Sequence, residues 1–419
     1  MSRLLFAVPL AAVALSVALA PAAPRADEPK ISWKKTVLDT KFRTEGVAIA
    51  DVNKDGKIDV LNGEYWYEAP DWKAHEMQEF KDHAKLTENG LKGYSRSFAC
   101  WADDFNGDGF ADLIVIDFPG APCYWMENPK GKEGHWKKHT IWHSACNETP
   151  IYAELTEKGK RVLLMGFQPA GKGNEGQMAY FTPNPKDPTA LWTMHPISEP
   201  STPAKVENGK EVPNTRKEIP GTQRFSHGLG VGDLNGDGKL DVICTGGWWE
   251  QPAQTDGKTA WTFHAANLGE ACADMFAYDM DGDGKNDVIS TSAHKFGIWW
   301  HKRRDNAFQK QDIFPKLVSE THAAHFKDID GDGRPDLITG KRWWSHGKAE
   351  PGSDGPAIIY WLKNTKGADG LTQFTPMTID EDSGIGTQFE VADINGDGLL
   401  DVISSNKKGV RVIVQERKK

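Results

Sequence analysis

A nine-residue pattern, D-x-[ND]-x-D-G-x-x-D, occurs six times in the 419-residue chain. The copies span residues 51–59, 104–112, 233–241, 279–287, 328–336 and 393–401. Each copy follows a short alternating apolar run and precedes a β-branched run, so the pattern predicts a loop between two strands. An aromatic run and another short strand-like run follow, which gives four strands per repeat. Repeats of this kind predict an all-β propeller.

The spacing of the copies predicts seven blades. The interval between Asp104 and Asp233 is about two to three times the spacing of the other neighbouring copies. Within it, residues 152–166 keep the apolar pattern and lack the acidic residues, so we interpret them as a seventh blade centred on Glu154. Residues 31–39 resemble a fourth strand, and the sequence finishes on a third strand. We therefore expect the two ends to complete one blade together and to close the ring.

The repeat resembles the FG-GAP or VCBS repeat family, whose propellers carry calcium in the loop between the first two strands of a blade. Positions 1, 3, 5 and 9 offer side-chain oxygens, position 7 offers a carbonyl, and Gly at position 6 permits the turn, which suits calcium. The alternative is a solvated acidic turn, which the mutual repulsion of clustered carboxylates disfavours. The predicted structural calcium ligands are Asp51, Asn53, Asp55, Lys57, Asp59, Asp104, Asn106, Asp108, Phe110, Asp112, Asp233, Asn235, Asp237, Lys239, Asp241, Asp279, Asp281, Asp283, Lys285, Asp287, Asp328, Asp330, Asp332, Arg334, Asp336, Asp393, Asn395, Asp397, Leu399 and Asp401.

The N-terminus predicts export. Residues 4–20 form an apolar run that follows Arg3 and leads into small residues and prolines, which is typical of a cleaved secretory signal. We expect a signal peptide over residues 1–26 and one seven-bladed propeller over residues 27–419, in the periplasm or outside the cell. Retention of the run as a short anchor is the alternative; no other run is long enough to cross a bilayer.

Charge and cysteine content exclude several classes of protein. The formal net charge of -9 argues against a nucleic-acid partner, because neutralising phosphate requires a basic surface. The five cysteines are too few and too scattered for a disulfide framework or a CxxC metal site. A single bridge between Cys123 and Cys146 is the one pairing that we consider.

A candidate site lies at the channel mouth opposite the acidic loops. In the predicted topology, the two long insertions (residues 199–224 and 345–357) fall on this face, where binding and chemistry usually concentrate. The start of each innermost strand also lies there, at Glu45, Phe98, Glu148, His227, Ala273, His322 and Thr387, with Asp274 and Gln388 one step later. Converging imidazoles and carboxylates suit zinc or another divalent transition metal. We predict a catalytic metal on His227 and His322 with Glu148 or Glu45 as third ligand; a hydrogen-bonded polar plug is the alternative.

Further polar residues of the same face have two interpretations. His294 and Lys341 are candidates to stabilise an enolate or to protonate a leaving group, and the alternative is ordinary solvated charge, as for Arg342 and His346. His325 is predicted to pack away from His322, because alternate strand residues face opposite sides. The tryptophan pairs at 248–249, 299–300 and 343–344 are predicted to lie mainly in the blade cores.

Three stretches carry a second resemblance. Residues 226–230 leading to 248–250, 320–322 leading to 340–342, and 383–384 leading to 406–409 are similar to the propeller part of the fungal aldos-2-ulose dehydratases. That resemblance implies a zinc in the propeller cleft with ligand roles for His227 and His322. These enzymes continue into cupin domains assigned to isomerisation, so we do not expect isomerase activity.

Two functions follow as hypotheses. The first is an exported metal-dependent carbohydrate lyase or dehydratase that acts on keto-sugars or 3-keto-glycosides by β-elimination. The alternative is a non-catalytic, calcium-stabilised propeller that binds glycans or proteins.

Overall fold

The structure, a computed structural model, describes residues 30–80, 93–168, 176–213, 215–305, 307–347 and 349–418. These residues form strands, turns and loops without a helix, so the described part of the protein is all-β. Consistent with this, the described residues contain no helix long and apolar enough to span a membrane. The predicted signal peptide over residues 1–26 lies outside the described residues.

Most strands belong to four-stranded antiparallel sheets that are arranged as a β-propeller. The first sheet contains β2 (Ala48–Ala50), β3 (Asp59–Leu61), β4 (Tyr65–Glu68) and β5 (Lys73–Glu76), and the second contains β6 (Ala99–Asp103), β7 (Asp112–Ile116), β8 (Cys123–Glu127) and β9 (Lys137–Trp142). The third contains β10 (Ile151–Glu154), β11 (Arg161–Phe167), β12 (Gln177–Thr182) and β13 (Thr193–Pro196). Another contains β24 (Ala324–Lys327), β25 (Asp336–Gly340), β26 (Ile359–Lys366) and β27 (Thr372–Asp380).

One sheet combines the two ends of the described chain. β1 (Lys30–Asp39) pairs antiparallel with β30 (Gly409–Lys418), which continues to β29 (Asp401–Asn406) and β28 (Glu390–Ala392). The register begins with Lys30 opposite Lys418 and runs along the whole of β1, with an irregularity between Val37 and Asp39. β1 thus holds the fourth-strand position of a sheet whose other strands come from the end of the chain.

A continuous eight-stranded sheet departs from the expected seven separate blades. It joins β16 (Leu229–Gly232), β17 (Asp241–Cys244), β18 (Gly247–Glu250) and β19 (Thr262–Ala265) to β20 (Met275–Tyr278), β21 (Asp287–Thr291), β22 (Ile298–Arg304) and β23 (Ala307–Asp312). The joint is a short parallel pairing of β16 with β20. It depends on Gly230, because a Cβ atom there would lie 2.1 Å from the carbonyl oxygen of Met275. Only five sheets are therefore separate four-stranded units.

Each acidic repeat connects the first and second strands of its sheet, and its ninth residue is a buried aspartate. In the first repeat, Asp59 accepts hydrogen bonds from the backbone N–H groups of Val52 and Ala69, at 3.0 and 2.8 Å. The same two contacts recur at Asp112, Asp241, Asp287, Asp336 and Asp401. Burial raises the pKa of Asp112 and of Asp336 to about 7. The ninth aspartate therefore fastens the loop to the third strand.

Two expectations about core residues are wrong. All five cysteines are free and buried, so the bridge considered between Cys123 and Cys146 does not form; Cys123 instead packs against the neighbouring sheet. Trp343 and Trp344 lie in the connection after β25, outside any strand, and Trp344 has a φ of 61°. The third strand of that sheet instead carries Trp361, which is buried. By contrast, Trp248 and Trp249 are buried on β18 as expected.

The long insertion before β16 contains a small hairpin of its own, β14 (Val206–Glu207) and β15 (Lys210–Glu211). Its end is tied to the second sheet, because Arg224 Nε donates to the carbonyl oxygen of Pro119 at 2.7 Å. The insertion therefore borders the residues that lead into β16.

Candidate functional site

The polar residues predicted for the channel mouth gather at one end of the strands. His227 and His322 precede the first strands β16 and β24, whereas His294 and Arg342 follow the second strands β21 and β25. First and second strands are antiparallel, so both sets of positions lie at the same end of their sheets. The acidic loops connect the other ends of these strands.

Three imidazoles form a compact group at this end. His227, His294 and His322 each offer one nitrogen, and these nitrogens lie within 4.8 Å of one another. The ring centroids of His227 and His294 are 4.6 Å apart, and each lies 5.5 Å from the ring of His322. These residues are far apart in the sequence, so the cluster forms only when the sheets pack together in the folded protein.

Backbone carbonyls orient two of these imidazoles in the same way. His227 Nδ1 donates to the carbonyl oxygen of Phe225 at 2.7 Å, and His322 Nδ1 lies 3.3 Å from that of Glu320. Phe225 and Glu320 both have left-handed backbone angles, with φ of 64° and 57°. Such strained residues concentrate at functional sites, and here the same turn is repeated in two blades.

The other nitrogens of this pair are buried without a hydrogen-bond partner, namely Nε2 of His227 and Nε2 of His322. With Nδ1 protonated and facing a carbonyl, each Nε2 carries a lone pair directed into the cluster. Free imidazole nitrogens in convergent positions are a donor set for zinc or a related divalent metal. The residues therefore fit such an ion, with His294 as the third member of the group.

Burial keeps two of the imidazoles, His294 and His322, neutral at neutral pH. It lowers the pKa of His322 well below its ordinary value, with Arg342 adding to the effect. Burial and the nearby His227 lower the pKa of His294 to about 4. Neutral imidazole is the form that binds metal, so His294 and His322 are in the metal-binding form at neutral pH.

The predicted carboxylate ligands are both engaged by Arg342. This buried guanidinium donates to Glu148 Oε2 at 3.0 Å and to Glu45 Oε1 at 2.6 Å. Glu45 Oε2 also accepts hydrogen bonds from Ser95, so both of its oxygens have partners. Glu148 Oε2 lies 3.5 Å from His227 Nε2 and 4.0 Å from His322 Nε2. Glu148 thus borders the imidazole cluster, whereas Glu45 faces Arg342 and Ser95.

Neighbouring residues keep the carboxyl group of Glu148 ionised. Burial by itself raises the pKa of this carboxyl group, but His227 and Arg342 outweigh it and bring the pKa to about 2. Glu148 is therefore ionised at neutral pH. The charge of Arg342 is in turn balanced by two carboxylates.

A second acidic and imidazole group adjoins the first. Glu350 Oε1 lies 2.9 Å from His294 Nδ1 and 3.2 Å from His346 Nδ1, and these three residues form another compact set of metal-ligand atoms. Glu350 Oε2 is buried without a hydrogen-bond partner. Burial, reinforced by the charge of Glu320, raises the pKa of Glu350 to about 7. The loop between β25 and β26 thus brings a carboxylate beside the imidazole cluster.

Lys341 is buried in the wall of the same loop. Its Nζ donates to Ser319 Oγ at 2.7 Å and to the carbonyl oxygen of Gly352, and it lies 3.3 Å from Glu320 Oε2. Burial lowers the pKa of the ammonium group, whereas Glu320 raises it. Lys341 and Arg342 are both buried, so the interpretation of them as solvated charge is wrong. The contacts of Lys341 tie the loop to the preceding blade.

His325 is placed apart from the cluster. Its Nε2 bonds to the carbonyl oxygen of Phe389 at 2.8 Å, and its ring packs edge-on against that of Phe389. Burial lowers the pKa of His325 to about 3. These contacts agree with the packing role predicted from strand alternation.

An aromatic wall leads from Arg342 to the protein surface. Tyr94 and Phe98 lie beneath the guanidinium, and Phe118 contacts both rings with centroid distances of 5.8 and 5.7 Å. Phe225 continues the wall at 5.3 Å from Phe118 and is 40% exposed. The residue that orients His227 through its carbonyl therefore also presents an apolar ring to solvent.

The sequence did not predict that Arg342 binds both Glu45 and Glu148, or that Glu350 contacts His294. It also did not predict the exposed ring of Phe225. The loop holding Glu350 was recognisable as an insertion, but its fold back towards His294 was not. Phe225 had one sequence signal, its position two residues before a candidate ligand.

Side-chain oxygens of the predicted calcium loops accept hydrogen bonds from backbone N–H groups of the same loop. In the loop over residues 233–241, Asp233 Oδ1 accepts from Gly236 N at 2.7 Å and its Oδ2 accepts from Gly238 N at 2.9 Å. Asn235 and Asp237 accept backbone N–H groups two residues ahead. The acidic side chains thereby converge on the inside of the turn, where calcium ligands are needed.

Comparisons with known proteins agree with the fold. Residues 279–339 match the FG-GAP-like repeat family, and this stretch contains two of the six acidic loops. That match supports an FG-GAP β-propeller. No curated protein matches the chain.

Solved structures with a similar chain path are distant. A lectin from Agrocybe aegerita, described as recognising non-reducing terminal N-acetylglucosamine, is 16% identical with a TM-score of 0.40, over 93% of this chain and 86% of its own. The exotype rhamnogalacturonan lyase YesX is 13% identical with a TM-score of 0.42, over 91% of this chain and 72% of its own. The Dos1 propeller is 12% identical with a TM-score of 0.45, over 91% of this chain and 94% of its own. None of these likenesses decides what the present protein binds or converts.

Proposed function

We propose that the protein is an exported, metal-dependent carbohydrate lyase that eliminates water or an alcohol from keto-sugars or 3-keto-glycosides. The observation that carries this proposal is that the Nε2 atoms of His227 and His322 are buried and have no hydrogen-bond partner. A nitrogen of His294 completes the group, in which the three nitrogens lie within 4.8 Å of one another. Such a set would hold zinc or a similar divalent ion. A bound ion of this kind polarises a carbonyl group and so acidifies the neighbouring C–H bond.

The protein's own residues supply the proton transfers in this proposal. Glu350 lies beside His294 with one oxygen unpartnered, which suits a base that accepts the proton from the carbon next to the carbonyl. Burial lowers the pKa of His346 to about 4, so this imidazole is neutral at neutral pH and has no proton of its own to donate as an acid. In this proposal the proton that Glu350 accepts from carbon passes to the departing β-oxygen, either directly or through His346, whose Nδ1 lies 3.2 Å from Glu350 Oε1. Glu148 and Arg342 keep the charge of the site balanced beneath the imidazoles.

Phe225 is proposed to contact the apolar face of the sugar. Its ring is exposed, while its backbone carbonyl fixes the orientation of His227. The ring and the imidazole are therefore positioned by one short turn. Sugar rings pack their C–H faces against aromatic rings, so this wall gives the substrate an orientation relative to the cluster.

A direct test is a screen of keto-sugars and 3-keto-glycosides with purified protein, first stripped of metal and then supplied with zinc or manganese. The expected product is an enone, detected by new ultraviolet absorbance that requires the added metal. Absence of turnover on every member of the panel, with one divalent ion bound, would replace the lyase with a glycan-binding propeller. Calcium alone, without a further ion, would remove the metal centre from the proposal.

The architecture proposed with this function has seven blades in a closed ring. The eight-stranded sheet would then be two blades whose first strands touch at Gly230, and the sheet shared by β1 and β30 would close the ring. Export would follow from the predicted signal over residues 1–26, and structural calcium would bind in acidic loops between first and second strands.

A further inference from the structure

The third strand of each acidic blade carries one residue at an equivalent position, and in three blades this residue contacts the acidic loop. It directly precedes the residue whose backbone N–H binds the ninth aspartate, and so it occupies the same place in all six blades. In three blades it is a glutamate, in two it is a lysine and in one it is a valine. In chain order these residues are Glu68, Glu127, Glu250, Lys302, Lys363 and Val414.

The third position of the loop changes together with this residue. Where the strand offers glutamate or valine, the loop has an asparagine, at Asn53, Asn106, Asn235 and Asn395. Where the strand offers lysine, the loop has an aspartate, at Asp281 and Asp330. Asparagine thus never faces lysine, and aspartate never faces glutamate.

Direct contacts explain the pairing. Lys302 Nζ forms an ion pair with Asp281, and Lys363 Nζ lies 2.7 Å from Asp330 Oδ2. In the first blade the contact has the opposite polarity, because Asn53 Nδ2 donates to Glu68 Oε1 at 2.9 Å. The strand residue is therefore a partner of the third loop position in both lysine blades and in the first of the asparagine blades.

The two lysines are held inside the loop region. The side chains of Lys302 and Asp281 are 12% and 4% exposed, and those of Lys363 and Asp330 are 17% and 5% exposed. Lysines also contact loops elsewhere, but there they are open to solvent, as in the pair of Lys57 with Asp55, where the exposures are 51% and 30%. An exposed pair is weak and easily displaced, whereas removing one partner of a buried pair leaves an uncompensated charge.

These contacts decide whether a cation lies among the carboxylates of a loop. A loop with three aspartates and an asparagine has no buried cation and gains from binding a divalent ion. A loop with four aspartates and a buried lysine already has a cation among its carboxylates, and calcium has to displace it at close range against its positive charge. Loops of the second kind do not fit calcium as well as loops of the first kind.

We propose that the loops over residues 279–287 and 328–336 use Lys302 and Lys363 as built-in cations and do not bind calcium, whereas the other four acidic loops are the calcium sites. The inference is independent of the imidazole cluster and of the lyase proposal. The six loops share one sequence pattern, and whether a loop binds calcium then depends on a third-strand residue that lies outside this pattern.

The test is the number of calcium ions bound, measured by equilibrium dialysis and elemental analysis of the mature protein at about 1 mM free calcium, near the upper dissociation constants of extracellular sites. The wild type is expected to bind four ions, and the double variant K302M/K363M two more. The matched control is K57M/K239M, which removes two exposed lysines from other loops and is expected to leave the number unchanged.

A second measurement guards against loss of folding. In chelator, K302M/K363M is expected to melt below wild type and below K57M/K239M, and calcium is expected to restore most of the difference. Six ions on the wild type, or no increase in the double variant, would overturn the proposal. If the wild type binds none, an increase of two in the double variant still supports the built-in cations, and no increase refutes them.

Discussion

Arg342 Nη1 donates to Glu148 Oε2 at 3.0 Å although 194 residues separate them in the sequence. The same guanidinium also holds Glu45, so one buried cation joins the loops that lead into β2 and β10 to the loop that follows β25. The carboxylates expected to coordinate a metal therefore have a structural partner. Next to them, the Nε2 atoms of His227 and His322 have no hydrogen-bond partner.

Replacing Arg342 by methionine is expected to destabilise the protein by about 3–5 kcal/mol, because it leaves two buried carboxylates without their counter-charge. Denaturant unfolding of R342M measures the loss. R96M provides the comparison, since Arg96 pairs with Asp117 at the surface and its removal is expected to cost about 0–1 kcal/mol. Equal stability of the two variants would show that Arg342 is not the main counter-charge of Glu45 and Glu148.

Replacing His227 or His322 by alanine is expected to remove the additional divalent ion and to lower the elimination rate at least ~100-fold, the scale expected when a group acting in the transition state is lost. Metal content and enone formation are measured on the same samples. H135A is the control, because His135 is exposed and contacts Glu76 far from the cluster. Full metal content in both cluster variants would contradict the assignment.

Calcium is expected to raise the melting temperature of the chelated protein. With dissociation constants of about 10⁻⁴ to 10⁻³ M, about 10 mM calcium stabilises each binding loop by about 1.4–2.7 kcal/mol. Differential scanning calorimetry with and without calcium checks this, and D233N, which removes a charged ligand of one loop, is expected to show a smaller rise. Identical melting in chelator and in calcium would rule out structural calcium.

Two buried acids of the central strands predict a pH effect on stability. Burial raises the pKa of Asp274 and of Glu390 to about 7, with Lys327 opposing the rise at Glu390. The folded state therefore holds protons that the unfolded state releases near pH 4, and this contribution to stability is lost as pH rises from about 4 to 7. In saturating calcium, D274N/E390Q is expected to lose less stability than wild type between pH 5 and 8. Parallel pH profiles of the two proteins would refute the assignment.

The sequence predicted the features that repeat along the chain, but not those that depend on contacts between blades. The nonapeptide located the loops between first and second strands, because its buried ninth aspartate ties each loop to the third strand locally. The merging of two blades was not predictable from strand patterns, since it depends on the absence of a side chain at Gly230 beside Met275. Trp343 and Trp344 were wrongly predicted to lie in a blade core, because residue type alone does not distinguish a tryptophan pair in a loop from one in a strand.

For the candidate site, the sequence identified His227, His294 and His322, and it singled out Arg342 and His346 without their roles. Spacing from the acidic loop is enough to place a residue at the start of a first strand. It does not reveal which charged groups of different blades contact one another, as Arg342 contacts Glu148 and Glu45. Side-chain identity alone also gave no reason to expect Lys341 and Arg342 to be buried.

The pairing of β1 with β30 governs the order in which this protein can assemble. β1 is made before the other described strands, and its hydrogen-bonding neighbour β30 is made after them, so β1 emerges from the ribosome with an unpaired edge. Hairpins between neighbouring strands can form while the chain is still growing, whereas this sheet has to wait until β30 has been made and then bring together segments from the two ends of the described chain. A molecule truncated before β30 would therefore leave the edge of β1 unpaired and able to pair with strands of other nascent chains. A chaperone that binds β1 during synthesis would cover this edge until β30 becomes available, because no earlier strand can pair with it.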